Sequence, residues 1–151
     1  MDWFVRAFIK ASLAWFGAGI VLGLAMAVYP PFTVYRTVHL HLNLLGFVGQ
    51  MIYGVSLHVV PRFFGHALVH RRLAEAQFWL AQAGLALLAA GFVGRVHAIA
   101  GTPVVLGAGA LLSAAAAACY IVNLWRTIDA STMTPLGRTP TLPLMPQRQA
   151  D

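Results

Sequence analysis

Residues 36–65 read RTVHLHLNLLGFVGQMIYGVSLHVVPRFFG. Between Arg36 and Arg62 this run carries no Asp, Glu, Lys or Arg, and it opens with two histidines one residue apart. Crossing about 30 Å of hydrocarbon takes roughly 20 mostly apolar residues, so the run is long enough to span a bilayer. A histidine inside a span is costly unless something binds it, which makes His39 and His41 the residues to explain.

Working outward, three more segments have spanning length. The expected spans cover about 7–29, 35–60, 73–96 and 102–125, the first closed by Pro30 and Pro31 and the second by Pro61. Gly101 and Pro103 mark a tight connection between the last two. The expected fold is all-α, an integral membrane four-helix bundle over residues 1–128, followed by a Pro-rich tail at 129–151 with an ordered start. The five alanines at 114–118 lie inside a span, where small side chains let helix backbones approach.

Composition agrees. Of 151 residues, 60% are apolar and only 9% charged, with a mean hydropathy of +0.75, far from the quarter of charged residues usual in soluble domains. The net charge of +6 comes from basic residues scattered among apolar spans, which suits topology signals and lipid anchoring rather than nucleic acid. Arg6, Lys10, Arg62, Arg71, Arg72, Arg126, Arg138 and Arg148 fall on one side, against Arg36 and Arg95 on the other. That asymmetry places both termini in the cytoplasm and the histidine pair near the outer end of the second span. The N-terminal apolar stretch runs on to Tyr29, as a retained span does and a cleaved signal does not. The single cysteine, Cys119, excludes an intrachain disulfide.

Residues two apart on a helix are separated by about 200° of rotation. His39 and His41 therefore address nearly opposite faces and do not chelate one ion together; helical zinc ligands sit at i and i+4 instead. Two separate ligands, each taking one imidazole, fit the spacing, and a haem plane on either side is one such arrangement. The plain alternative is a hydrated or backbone-bonded pair at the membrane surface.

The stretch resembles the tenth transmembrane helix of haem–copper oxidase subunit I, a superfamily that includes nitric oxide reductases. The elements of the resemblance are His39, His41, Gly46, Gly54, His58, Pro61 and Gly65, with weaker similarity as far as about residue 103. By position, the resemblance implies that His39 corresponds to the axial ligand of the high-spin haem and His41 to a ligand of the low-spin haem. It implies an outer-side placement of the pair, as the charge asymmetry does independently. The chain departs from the family pattern in being too short for the helices that bear the copper-ligating histidines and the second low-spin ligand. It also has no paired arginines after the segment that resembles the eleventh helix. An oxygen- or nitric-oxide-reducing centre is thus not expected from this chain on its own.

His97, returning to the outer level at the end of the third span, is the internal candidate for a second axial ligand; a loop histidine in water is the alternative. Arg36 and Arg95 suit the two carboxylates of haem propionates, or else snorkel to the headgroups. His58, His66 and His70 belong to the opposite end, since 17 residues of α-helix cover about 25 Å. Gly46, Gly49 and Gly54 permit close approach by a helix or a flat ligand. Asn43 and Gln50 call for partners across helices. Trp3, Trp15, Trp79 and Trp125 suit interfacial anchors, and Glu75 a surface ion pair with Arg71 or Arg72. Apart from Glu75, near the start of the third, no acid lies inside an expected span, which argues against a proton pump.

The expectation is a b-type haem protein of the bacterial inner membrane, with one or two haems per chain or shared between chains. It would carry electrons between a quinol or periplasmic cytochrome and a partner enzyme, as a homo-oligomer or with other membrane subunits. The rival readings are a gas-binding (NO or O2) haem enzyme or sensor, and a cofactor-free accessory or assembly protein.

Overall fold

The computed structural model describes residues 1–65 and 67–132, with side chains through residue 130. His66 and the tail beyond Thr132, with Arg138 and Arg148, lie outside the described residues. The helices are α1 (Trp3–Val28), α2 (Arg36–His41), α3 (Gln50–Phe63), α4 (Arg71–Val96) and α5 (Thr102–Thr132). A 3₁₀ turn, Pro30–Tyr35, leads into α2, and a π-helical segment, Leu42–Gly49, joins α2 to α3. Among the described residues, four helical stretches are long and apolar enough to cross a membrane: Trp3–Val28, Pro30–Phe63, Arg71–Val96 and Thr102–Ala130.

Two boundaries and one internal segment differ from expectation. Pro61 does not close its helix: it lies one turn from the end, buried, and the chain stays helical to Phe63 with Phe64 N–H still bonding Val60 O at 3.1 Å. A proline removes its own donor and crowds the carbonyl one turn earlier, but the bonds that follow it survive. The last helix runs seven residues past Trp125, the end of its expected span, into the start of the tail. The π segment has no sequence signature beyond its glycines. Its wider turns rotate α3 relative to α2, so one 3.6-residue period does not carry faces through residues 42–49.

Ion pairs and hydrogen bonds fix which ends meet. Asp2 pairs with Arg71 at 2.8 Å, and Trp3 Nε1 donates to Glu75 at 3.2 Å, so α1 and α4 begin at the same level. At the other end the Tyr35 hydroxyl meets His97 Nε2 at 2.8 Å. The six basic residues Arg6, Lys10, Arg62, Arg71, Arg72 and Arg126 therefore share one half of the bundle, against Arg36 and Arg95 in the other.

Helices gain little from the hydrophobic effect when lipid is the alternative, so small residues and hydrogen bonds bring them together. The most extensive pairing is α4 with α5. A Cβ on Gly109 would stand 2.7 Å from Leu88 N, and one on Gly84 would meet Ser113. α1 packs on the π segment and α3 in the same way: Trp15 fills the space over Gly46, and Phe8 and Ile9 that over Gly54. These two glycines thus serve helix packing. The buried cluster gathers Phe4, Phe8, Leu57, Phe78 and Ala116 near the basic end, with Phe8 and Phe78 edge-to-face at 5.1 Å.

A polar chain crosses the middle of the bundle. Trp15 Nε1 donates to Gln82 Oε1 at 2.9 Å, and Gln82 Nε2 donates to Gln50 Oε1 at 2.7 Å. Gln50 finds its cross-helix partner, whereas Trp15 is no interfacial anchor but part of this interior chain. Glu75 also departs from expectation: it accepts from Trp3, while Arg71 takes Asp2. Gln77 is fully buried, and among the described residues neither of its amide atoms has a hydrogen-bond partner.

Candidate functional site

α2 is one and a half turns long and places its two histidines against different helices. His39 faces α1. Its Nδ1 lies 3.0 Å from Gly19 O, and Cβ atoms on Gly19 and Gly23 would strike Asn43 and the His39 ring at 2.8 and 2.9 Å. The sequence GIVLG, residues 19–23, thus forms a notch that receives His39 and Asn43. Asn43 anchors itself by donating to His39 O at 2.8 Å. His41 faces α4, its ring 4.6 Å from that of Phe92, and its Nδ1 lies 2.8 Å from Thr37 O one turn earlier.

Both rings therefore share one chemical state. A backbone carbonyl only accepts, so each imidazole carries a hydrogen on Nδ1, and in the neutral ring the lone pair is then on Nε2. This is how proteins fix the tautomer and orientation of a metal-ligating histidine, with the other nitrogen held by a carbonyl or carboxylate. The rings differ in surroundings: α1 and Asn43 wall in His39, while His41 is in ring contact with α4 through Phe92.

His97 sits at the C-terminal cap of α4, where its backbone N–H bonds Val93 O at 3.3 Å and its ring meets Tyr35. The next residue, Ala98, takes φ 51°, the left-handed cap position usually given to glycine. Arg36 and Arg95 are both exposed at this end, and Arg95 borders an open groove of about 470 Å³ with Ile99 and Leu106. The structure thus brings His39, His41, Arg36, Arg95 and His97 to one half of the bundle. His58 is at the other, its ring against Arg62 Nη1 at 2.6 Å. Among the described residues no three His, Cys, Asp or Glu side chains gather as a set for one metal ion.

Sequence reasoning did not single out Gly19, Gly23, Phe92, Tyr35 or Gln82. The Gly-x-x-x-Gly spacing at 19–23 was a readable signal for a close-approach face. Nothing local in the sequence announces that Phe92 lies beside His41, because that pairing depends on the rotation set by helix packing.

The fold is that of a multi-pass helical membrane protein, and comparison with known proteins narrows it. The chain belongs to the cytochrome c and quinol oxidase polypeptide I family, whose model matches residues 4–146. It is 32% identical over 89 residues to the Cbb3-type cytochrome c oxidase subunit CcoN1 of Stutzerimonas stutzeri. That alignment covers 55% of this chain and 19% of the relative, so the chain matches about a fifth of the relative's length. It is accordingly a haem–copper oxidase-like membrane protein.

Proposed function

We propose that this chain is a b-type haem-binding subunit that carries electrons within a respiratory-type complex of the bacterial inner membrane. The observation that carries the reading is the shared state of the two imidazoles: each is pinned through Nδ1 to a backbone carbonyl, leaving Nε2 as a donor to iron. Haem iron takes one imidazole per axial position, whereas structural zinc wants four ligands. The donor set suits haem. When bound, haem supplies reversible one-electron exchange at its iron.

On this reading His41 is the leading ligand and His39 the second, with His97 able to serve as a further axial ligand once it leaves Tyr35. Arg36 and Arg95 pair with propionates. The basic half of the bundle faces the cytoplasm, so the histidines face the periplasm. The relative is named as a subunit of a cytochrome c oxidase, which supports membership of a larger assembly, with other subunits or further copies of this chain enclosing the cofactor. A quinol or a periplasmic cytochrome is the electron donor in this scheme.

A pyridine haemochrome assay with protein quantitation tests it. Haem b at a stoichiometric ratio, lost in His41→Ala, is the expected result. A colourless, folded preparation from haem-replete cells would overturn it and leave the cofactor-free accessory role. That second reading draws on the seat of His39 in the α1 notch, which also serves packing. A five-coordinate spectrum that shifts with nitric oxide would instead favour gas binding.

A further inference from the structure

Another groove lies away from the histidine pair. It measures about 640 Å³ and runs between the start of α4 and the end of α5, bordered by His70, Arg71, Arg72 and Arg126, with Leu73 and Val122 as apolar wall. Among the described residues, no acidic one lines it.

The groove is rigidly built. The Asn123 side chain clasps the backbone of His70 on both sides: Oδ1 accepts its N–H at 3.3 Å, and Nδ2 donates to its carbonyl at 3.0 Å. Val69 N–H donates to Thr127 Oγ1 at 3.3 Å. Asn123 and Thr127 are wholly buried, so the segment before α4 is stitched to α5. Arg126 Nη1 lies 3.3 Å from His70 Nε2. Arginine has no acceptor, so that imidazole nitrogen carries the lone pair.

Positive groups gather around the groove. Arg71 and Arg72 occupy the first turn of a 26-residue helix, whose N-terminal end is already positive, and no acid stands in that turn. Asp2 offsets Arg71. Arg72 and Arg126 stand on the groove wall, while Glu75 and Asp129, three residues beyond them in sequence, are not among its lining residues. An anion at the helix N-terminus would meet both the arginines and the helix end. Trp125, one residue before Arg126 and 67% exposed, marks the level of the membrane interface, where lipid phosphates lie. Leu73 and Val122 continue from that level into the apolar part of their spans.

We propose that this groove binds the headgroup of an anionic phospholipid, with the phosphate on Arg72 and Arg126 and an acyl chain along Leu73 and Val122. The chain's own continuation is a poorer occupant, since residues 133–151 carry two arginines against one aspartate.

The test is lipid retention by native mass spectrometry of the full chain, purified from bicelles of mixed phosphatidylglycerol and phosphatidylcholine. The intact chain retains phosphatidylglycerol in preference, by roughly tenfold, as two surface arginines near an anionic headgroup should give. Arg72→Gln with Arg126→Gln abolishes that preference, while Arg6→Gln with Lys10→Gln, outside the groove, keeps it. Val122→Trp, which fills the groove and leaves every charge, also abolishes it and covers the case in which the double variant does not fold. An unchanged preference in both groove variants, or equal loss in the Arg6/Lys10 pair, overturns the proposal. So does displacement of the lipid by millimolar inorganic phosphate, which makes the site one for free anions. A severalfold gain on truncation after Thr132 makes the tail the occupant and overturns it equally.

Discussion

The Nδ1 atom of His39 lies 3.0 Å from the carbonyl oxygen of Gly19 on another helix, and Gly23, one turn on, leaves the space in which the ring rests. The orientation of a candidate ligand is thus set by glycines twenty and sixteen residues upstream. Gly23→Val should push the imidazole out of its notch, because even a Cβ would approach Cε1 to 2.9 Å. On the proposed haem-binding reading, the expected outcome is an altered haem spectrum resembling that of His39→Ala. Gly17→Ala, where an added Cβ meets nothing within 4 Å, should leave the spectrum alone. Optical spectra of the three variants check this.

Tyr35 and His97 bear on the second axial position. If His97 ligates iron, His97→Ala should convert a six-coordinate, low-spin spectrum to a five-coordinate one. Tyr35→Phe, which removes the hydroxyl 2.8 Å from Nε2, should leave that spectrum low-spin or sharpen it. Electron paramagnetic resonance separates the outcomes, and a His97→Ala spectrum identical to the parent's would remove His97 from the coordination shell.

The interior amides make opposite predictions. Gln82→Leu strands both Trp15 Nε1 and Gln50 Oε1, and should destabilise the bundle by about 1–2 kcal/mol, near the upper range for hydrogen bonds between membrane helices. Gln77→Leu removes an amide with no hydrogen-bond partner among the described residues, and should be neutral or stabilising by about 1 kcal/mol. Unfolding in mixed micelles, followed by circular dichroism, gives the sign of each.

The α4–α5 seam admits no side chain at Gly109. Its Cβ would lie 2.7 Å from the backbone nitrogen of Leu88, which cannot move aside as a side-chain tip can. Gly109→Val should part the two helices and cost about 3 kcal/mol or more, in line with gross overpacking. Gly107→Ala, facing open space, should be tolerated and gain slightly from helix propensity. Thermal unfolding in detergent distinguishes them.

Much of this architecture is legible in the chain because membrane crossing imposes length and composition on each segment. The four spanning stretches, the return of His97 to the level of the histidine pair and the need of Gln50 for a partner all follow from such rules. What escaped depends on rotation about helix axes. Trp15 looked like an interfacial anchor until Gln82 was seen opposite it. Glu75 was expected to face an arginine and instead receives Trp3. Pro61 looked like a terminator, although one missing donor near a helix end changes little. The divergence of His39 and His41 was readable, since both precede the π segment; that the rings meet Gly19 and Phe92 was not.

That π segment works as a gear between two halves of one rod. Upstream of Leu42 the helix aims imidazoles at α1 and α4; downstream of Gly49 it aims Gln50 at Gln82. Excising a single residue between them would turn everything beyond by about 100°. Either the imidazoles or the glutamine would then look out into acyl chains. The extra residue in the wide turn is what lets one helix serve both tasks.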